Sequence, residues 1–112
     1  FPQGSAAGVS DAADVARTEL AEEAGLTAGR LERLGFLHEA YGRETAGFTV
    51  FLATDLVNGQ PRREATEADM RAGTFTLAEI WAMVDDGLIT DASTVSALAL
   101  LQRRYGSTDV AL

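Results

Sequence analysis

The segment Thr18-Glu19-Leu20-Ala21-Glu22-Glu23-Ala24-Gly25-Leu26 decides the fold, because it ends a predicted helix and carries three closely spaced glutamates. Residues at i, i+3 and i+4 are neighbours on an α-helix, so Glu19, Glu22 and Glu23 are predicted to project from one face. Like charges at these spacings destabilise a helix, and the helix dipole disfavours carboxylates in the last turns. Either the side chains form a solvated acidic face, or a cation relieves their repulsion.

The acidic charge of the whole chain is compatible with the binding of a divalent cation. The 112 residues contain 17 Asp and Glu against nine Lys and Arg, which gives a formal net charge of -8. This charge repels a phosphate backbone, so we expect no general nucleic-acid binding. A phosphorylated small molecule remains a possible ligand if Mg²⁺, which prefers carboxylate oxygens, bridges it to the protein.

Apolar periodicity and turn residues predict one α/β domain over 1–112, with a loose tail at 107–112. The predicted helices are 11–24, opened by Ser10, a second from the Thr76 cap to Gly87, and a third from the Asp91 cap to Gly106. The predicted strands are a bent one at 30–40, a largely buried one at 47–57 and a short one at 74–76. A polar loop at 58–73 carries further carboxylates.

The stretch from Gly4 to Leu26 resembles the Nudix box, which runs Gly, five residues, Glu, seven residues, Arg-Glu-hydrophobic-any-Glu-Glu-any-Gly-hydrophobic. The positions in register are Gly4, Glu19, Leu20, Glu22, Glu23, Gly25 and Leu26. Two positions depart, because Ser10 stands at the first Glu and Thr18 at the Arg, with Arg17 one residue early. The region from 86 to 95 is similar to the ADP-ribose pyrophosphatase branch of this family.

This resemblance implies a Nudix α/β/α sandwich with a mixed sheet, whose N-terminal strands would lie upstream of Phe1. It also implies a homodimer and Mg²⁺-dependent hydrolysis of the diphosphate bond in a nucleoside diphosphate derivative, with Mn²⁺ as a possible substitute. ADP-ribose, cleaved to AMP and ribose 5-phosphate, is the expected substrate. Tyr41 is similar to a feature of the diadenosine polyphosphate branch and leaves the choice of substrate open.

The resemblance also implies the roles of individual residues. The expected metal ligands are Glu19, Glu22, Glu23 and the main-chain carbonyl of Gln3. Glu22 is also placed among the catalytic residues, together with Glu67, which would orient or deprotonate the attacking water. Glu64 and Asp69 are possible substitutes for Glu67. The expected substrate contacts are Tyr41, Arg43 and Arg63, although Tyr41 is equally suited to strand packing and Arg63 to keeping the loop solvated.

Several features favour less specific interpretations. The changes at Ser10 and Thr18 admit a catalytically weak or inactive Nudix-like module that binds or senses a nucleotide. The single histidine, His38, suits a surface position better than catalysis, and Trp81 suits core or dimer packing. The absence of cysteine and of a long apolar segment predicts a cytoplasmic protein with no membrane role.

Overall fold

The computed structural model describes residues 1–4, 11–63 and 69–106, which form a mixed α/β architecture as expected. The elements of this part of the chain are α1 (Ala12–Glu19), a π-helical turn (Leu20–Ala24), β1 (Leu26–His38), β2 (Gly47–Asn58), α2 (Leu77–Asp85) and α3 (Ala92–Tyr105). The two strands pair antiparallel. At one end of the pair the Glu39 N–H donates to the Ala46 carbonyl, and at the other end the Gly59 N–H donates to the Gly25 carbonyl.

The first helical region covers 12–24, within one residue of the predicted 11–24, but its cap and its last turn differ from the prediction. Asp11 is the N-cap, and its carboxylate accepts a 2.7 Å hydrogen bond from the Ala13 N–H. Ser10, the predicted cap, lies outside the described residues. The segment Leu20–Ala24 is a π-helical turn, and Gly25 ends it in a left-handed conformation at φ 67°. Apolar periodicity does not distinguish such a turn from an α-helical one.

The strand predictions hold in part. β1 begins at Leu26 rather than at residue 30, because the left-handed Gly25 ends the helical region and the chain becomes extended at once. β2 agrees with the predicted 47–57 to within one residue. Its expected burial is wrong, since residues 47–54 are half-buried and 55–58 are exposed in a sheet of only two described strands. The strand at 74–76 is also wrong, because Thr76 uses its extended backbone as the N-cap of α2.

Both C-terminal helices begin at the predicted caps. The Thr76 hydroxyl accepts a 3.1 Å hydrogen bond from the Glu79 N–H, and Asp91 accepts one of 3.0 Å from the Thr94 N–H. Each bond satisfies a backbone donor that has no partner within its helix. Gly87 follows α2 at φ 75° and Gly106 follows α3 at φ 67°, so a glycine with a positive φ, which disfavours a residue with a Cβ, lies after each helix.

The chain divides into two compact units. The first contains Phe1–Arg33 and Phe51–Ala72, and the second contains Leu34–Val50 and Gly73–Leu112. The buried side chains of the second unit are Leu77, Ile80, Thr94, Leu98 and Leu101. Those of the first are Ala28 and Glu23, so this unit buries a carboxylate. The expectations of a single domain and of a loose tail at 107–112 stay predictions, and the tail lies outside the described residues.

None of the described helices is long and apolar enough to span a bilayer. Trp81 of α2 is half-buried, and its expected role in core or dimer packing stays a prediction.

Candidate functional site

The π-helical turn sets the spacing of the three glutamates. The Gly25 N–H that closes it is shared between the Ala21 and Leu20 carbonyls, so the turn has partly i→i+5 character. A wider turn holds more residues than the 3.6 of an α-helix, and the angle between successive side chains is therefore smaller. In the wider turn the side chains at i and i+4 therefore point in more similar directions, whereas those at i and i+3 point in more different ones. Glu19 and Glu23 consequently share a face better than Glu19 and Glu22 do.

Glu19 and Glu23 both lie against the segment Gln3-Gly4. The Gln3 N–H donates a 3.1 Å hydrogen bond to Glu23 Oε2. A Cβ built on Gly4 would lie 2.6 Å from Glu19 Oε1, which is too close for any side chain. Residues 15 to 20 positions apart in sequence thus meet, and they are the first glycine of the motif, Gly4, and three of the predicted metal ligands, Gln3, Glu19 and Glu23. The predicted ligand atom of Gln3 is its carbonyl, whereas the described bond uses its N–H.

Glu23 is the buried acid of this site, with 7% of its surface exposed. A carboxylate removed from water must be hydrogen-bonded or paired with a cation, because its desolvation is otherwise costly. The Gln3 amide supplies one such bond. The sequence pattern predicted Glu23 as a ligand but gave no sign of its burial.

Glu22 differs from the other two glutamates, because its described contact is made by the backbone. Its carbonyl accepts a 2.8 Å hydrogen bond from the Arg62 N–H, and the residue is half-buried. Within residues 1–4, 11–63 and 69–106, no three histidine or acidic side chains are grouped so as to hold a metal ion. In this conformation the site therefore brings two of its three predicted carboxylates to Gln3-Gly4.

The polar loop after β2 is bound to the end of the π-helical turn. Gly59 donates its N–H to the Gly25 carbonyl, Arg62 donates to Glu22, and Arg63 Nε donates to the Glu23 carbonyl at 3.0 Å. The last carbonyls of a helix lack intrahelical partners and carry partial negative charge. A guanidinium is a favourable partner there. The sequence predicted Arg63 as a substrate contact, and its bond to Glu23 was not predicted. The two residues are 40 positions apart, so the local signal of a basic residue at a helix C-terminus does not apply.

The structure describes one of the two residues that depart from the Nudix pattern. Thr18 is exposed, and Ser10 lies outside the described residues. Arg17, one residue before the expected arginine, donates from Nη1 to the Ala28 carbonyl at 2.8 Å. It thereby links α1 to β1. This role was not predicted, because the contact joins residues 11 positions apart in different elements.

The remaining predicted residues are not brought to this site by any described contact. Tyr41 and Arg43 belong to the second unit, where the Arg43 N–H closes a turn on the Ala40 carbonyl. The His38 ring lies edge-on to Phe36 and to Tyr41, with centroids 5.1 and 4.8 Å away, and Tyr41 is 77% exposed. Asp69 is exposed, and Glu64 and Glu67 lie outside the described residues.

Comparison with known proteins adds no further assignment. No protein-family model matches the chain, and no curated protein matches it either.

Proposed function

We propose that the chain is a Nudix-type hydrolase with the corresponding α/β/α sandwich fold. In this proposal it cleaves the diphosphate bond of a nucleoside diphosphate derivative, and ADP-ribose, giving AMP and ribose 5-phosphate, is the best candidate substrate. The observation that carries the proposal is the contact of Gln3-Gly4 with both Glu19 and Glu23. It supports the motif assignment because the first glycine of the pattern lies beside its glutamates.

The donor set at this site fits Mg²⁺. The carboxylates of Glu19 and Glu23 and the main chain of Gln3 and Gly4 are rich in oxygen, and hard cations such as Mg²⁺ and Mn²⁺ bind oxygen ligands. When bound, such a cation activates water and neutralises charge on a diphosphate. Glu19, Glu22, Glu23 and the Gln3 carbonyl would hold it, and Mn²⁺ would be able to replace it.

The protein residues would bind the substrate, orient the metal ligands and accept a proton. The Gln3 N–H fixes one oxygen of Glu23, so the direction of the other is also restricted. A carboxylate beside the attacking water would accept its proton, and we assign this role to Glu67, with Glu64 and Asp69 as substitutes. Tyr41 has an exposed ring suited to stacking on a base, and Arg43 carries charge suited to phosphate.

The second candidate function is a Nudix-like module that binds or senses a nucleotide without turnover. The exposed Thr18 at the expected arginine position favours it. Such a module would retain divalent-cation binding but would release no AMP. A homodimer in the cytoplasm is the proposed setting for either function.

The test is the release of AMP from ADP-ribose in the presence of Mg²⁺. We expect turnover by the wild-type chain and a loss of about 100-fold or more in Glu23→Gln, because the substitution removes the charge of a metal ligand. Glu44→Gln is the matched control, since Glu44 is exposed in the turn between the strands and the same charge is lost. Binding of Mg²⁺ without turnover on ADP-ribose, nucleotide sugars or dinucleoside polyphosphates would support the sensor instead.

A further inference from the structure

Three donors from the polar loop cover the carbonyls at the end of the π-helical turn. Two of them are main-chain groups, the N–H of Gly59 and the N–H of Arg62, and any non-proline side chain would leave them in place. The third is Nε of Arg63, which donates to the Glu23 carbonyl at 3.0 Å. Arg63 is therefore the residue whose side chain makes a described contact to this turn from the loop.

Glu23 is held at both of its ends as a result. Its carboxylate accepts from the Gln3 N–H at 3.1 Å, and its carbonyl accepts from Arg63. With 7% of its surface exposed, the residue has little room to reorient without losing one of these bonds. The guanidinium also places positive charge at the negative end of the helix dipole, next to two glutamates.

We propose that Arg63 is a positioning residue that orients Glu23 for a divalent cation, and not a contact to the phosphate of the substrate. This inference rests on the proposed function. Partners of a metal ligand fix its direction and its charge, and their removal typically weakens metal binding by about 10- to 100-fold. Arg63 acts through the backbone of Glu23, so its effect appears in the affinity for the cation before any substrate is added.

The experiment is a titration of the full chain with Mn²⁺ in the absence of substrate. Electron paramagnetic resonance measures the free ion at each step. We expect Arg63→Ala to weaken Mn²⁺ binding by about tenfold or more. Arg62→Ala is the matched control, because it removes a neighbouring arginine but retains the N–H that donates to Glu22. It should bind Mn²⁺ within about twofold of wild type. Arg63→Lys, which keeps a cationic donor, should recover part of the lost affinity.

Each outcome decides between the alternatives. Equal Mn²⁺ affinity of Arg63→Ala and Arg62→Ala overturns the inference but leaves the proposed function standing. A raised KM for ADP-ribose in Arg63→Ala, with unchanged Mn²⁺ affinity, also overturns it and assigns Arg63 to the substrate. If the wild-type chain binds no Mn²⁺, the proposed function fails and the inference fails with it. If Arg63→Ala does not fold, Arg63→Lys against Arg62→Lys takes its place, and equal affinities there overturn the inference.

Discussion

At Gly4 the absence of a side chain leaves room for the side chain of Glu19. A Cβ at this position would lie 2.6 Å from Glu19 Oε1 and would also contact the carbons of that side chain. The required change is local, because Glu19 would have to turn away from Gln3-Gly4. The sequence pattern identified the glycine, but its physical role follows from the contact with Glu19.

We therefore predict that Gly4→Ala lowers divalent-cation affinity by about 10-fold or more, because the methyl group displaces a ligand. Gly42→Ala is a suitable control, since nothing lies within 4 Å of a Cβ at Gly42 and its φ is not positive. Calorimetric titration with Mg²⁺ measures both variants. An unchanged affinity in Gly4→Ala would remove Glu19 from the metal site.

At the scale of the elements, the left-handed Gly25 connects the glutamate-bearing helix to β1. Its φ of 67° disfavours any residue with a Cβ, and such an atom would also lie 2.6 Å from the Gly59 carbonyl oxygen and 2.7 Å from the Pro61 nitrogen. Both neighbours are backbone atoms, which cannot move aside as a side chain can. The loop at 59–63 and the π-helical turn are thus packed against each other at this glycine.

We predict that Gly25→Ala lowers the free energy of unfolding by about 2–4 kcal/mol, from the left-handed conformation and the added overpacking. Gly87→Ala separates the two causes. Gly87 has φ 75° but nothing within 4 Å of a Cβ, so its substitution should cost only about 1 kcal/mol. Urea denaturation followed by circular dichroism gives both values. Similar losses in the two variants would contradict the proposed packing at Gly25.

The helix starts at Thr76 and Asp91 were predictable, because capping depends on local chemistry at three or four adjacent residues. The π-helical turn was not, since a single turn of five residues is too short to alter the apolar period recognisably. Likewise, sequence spacing predicted three glutamates on one face, whereas the contact of Glu19 and Glu23 with Gln3-Gly4 joins residues 15 to 20 positions apart, which local spacing does not predict.

At the scale of the whole molecule, Mg²⁺ affects stability in two ways: it screens the formal net charge of -8, and it binds at a specific site. Repulsion among excess carboxylates destabilises the folded state, and any salt relieves part of it by screening. A cation bound at Glu19 and Glu23 would add a specific increment, because binding to the folded state alone stabilises it by mass action. The generic effect depends on ionic strength, whereas the specific one depends on the ligands.

We predict that MgCl2 raises the midpoint of thermal unfolding above the value in NaCl at the same ionic strength. At a concentration of 100 times the dissociation constant, the specific increment is about 2.7 kcal/mol. Glu23→Gln should lose it, while Glu44→Gln, which changes the net charge equally at an exposed position, should keep it. Differential scanning calorimetry of the three proteins measures the difference. If all three respond equally to Mg²⁺, the cation acts on the overall charge and Glu23 is not its ligand.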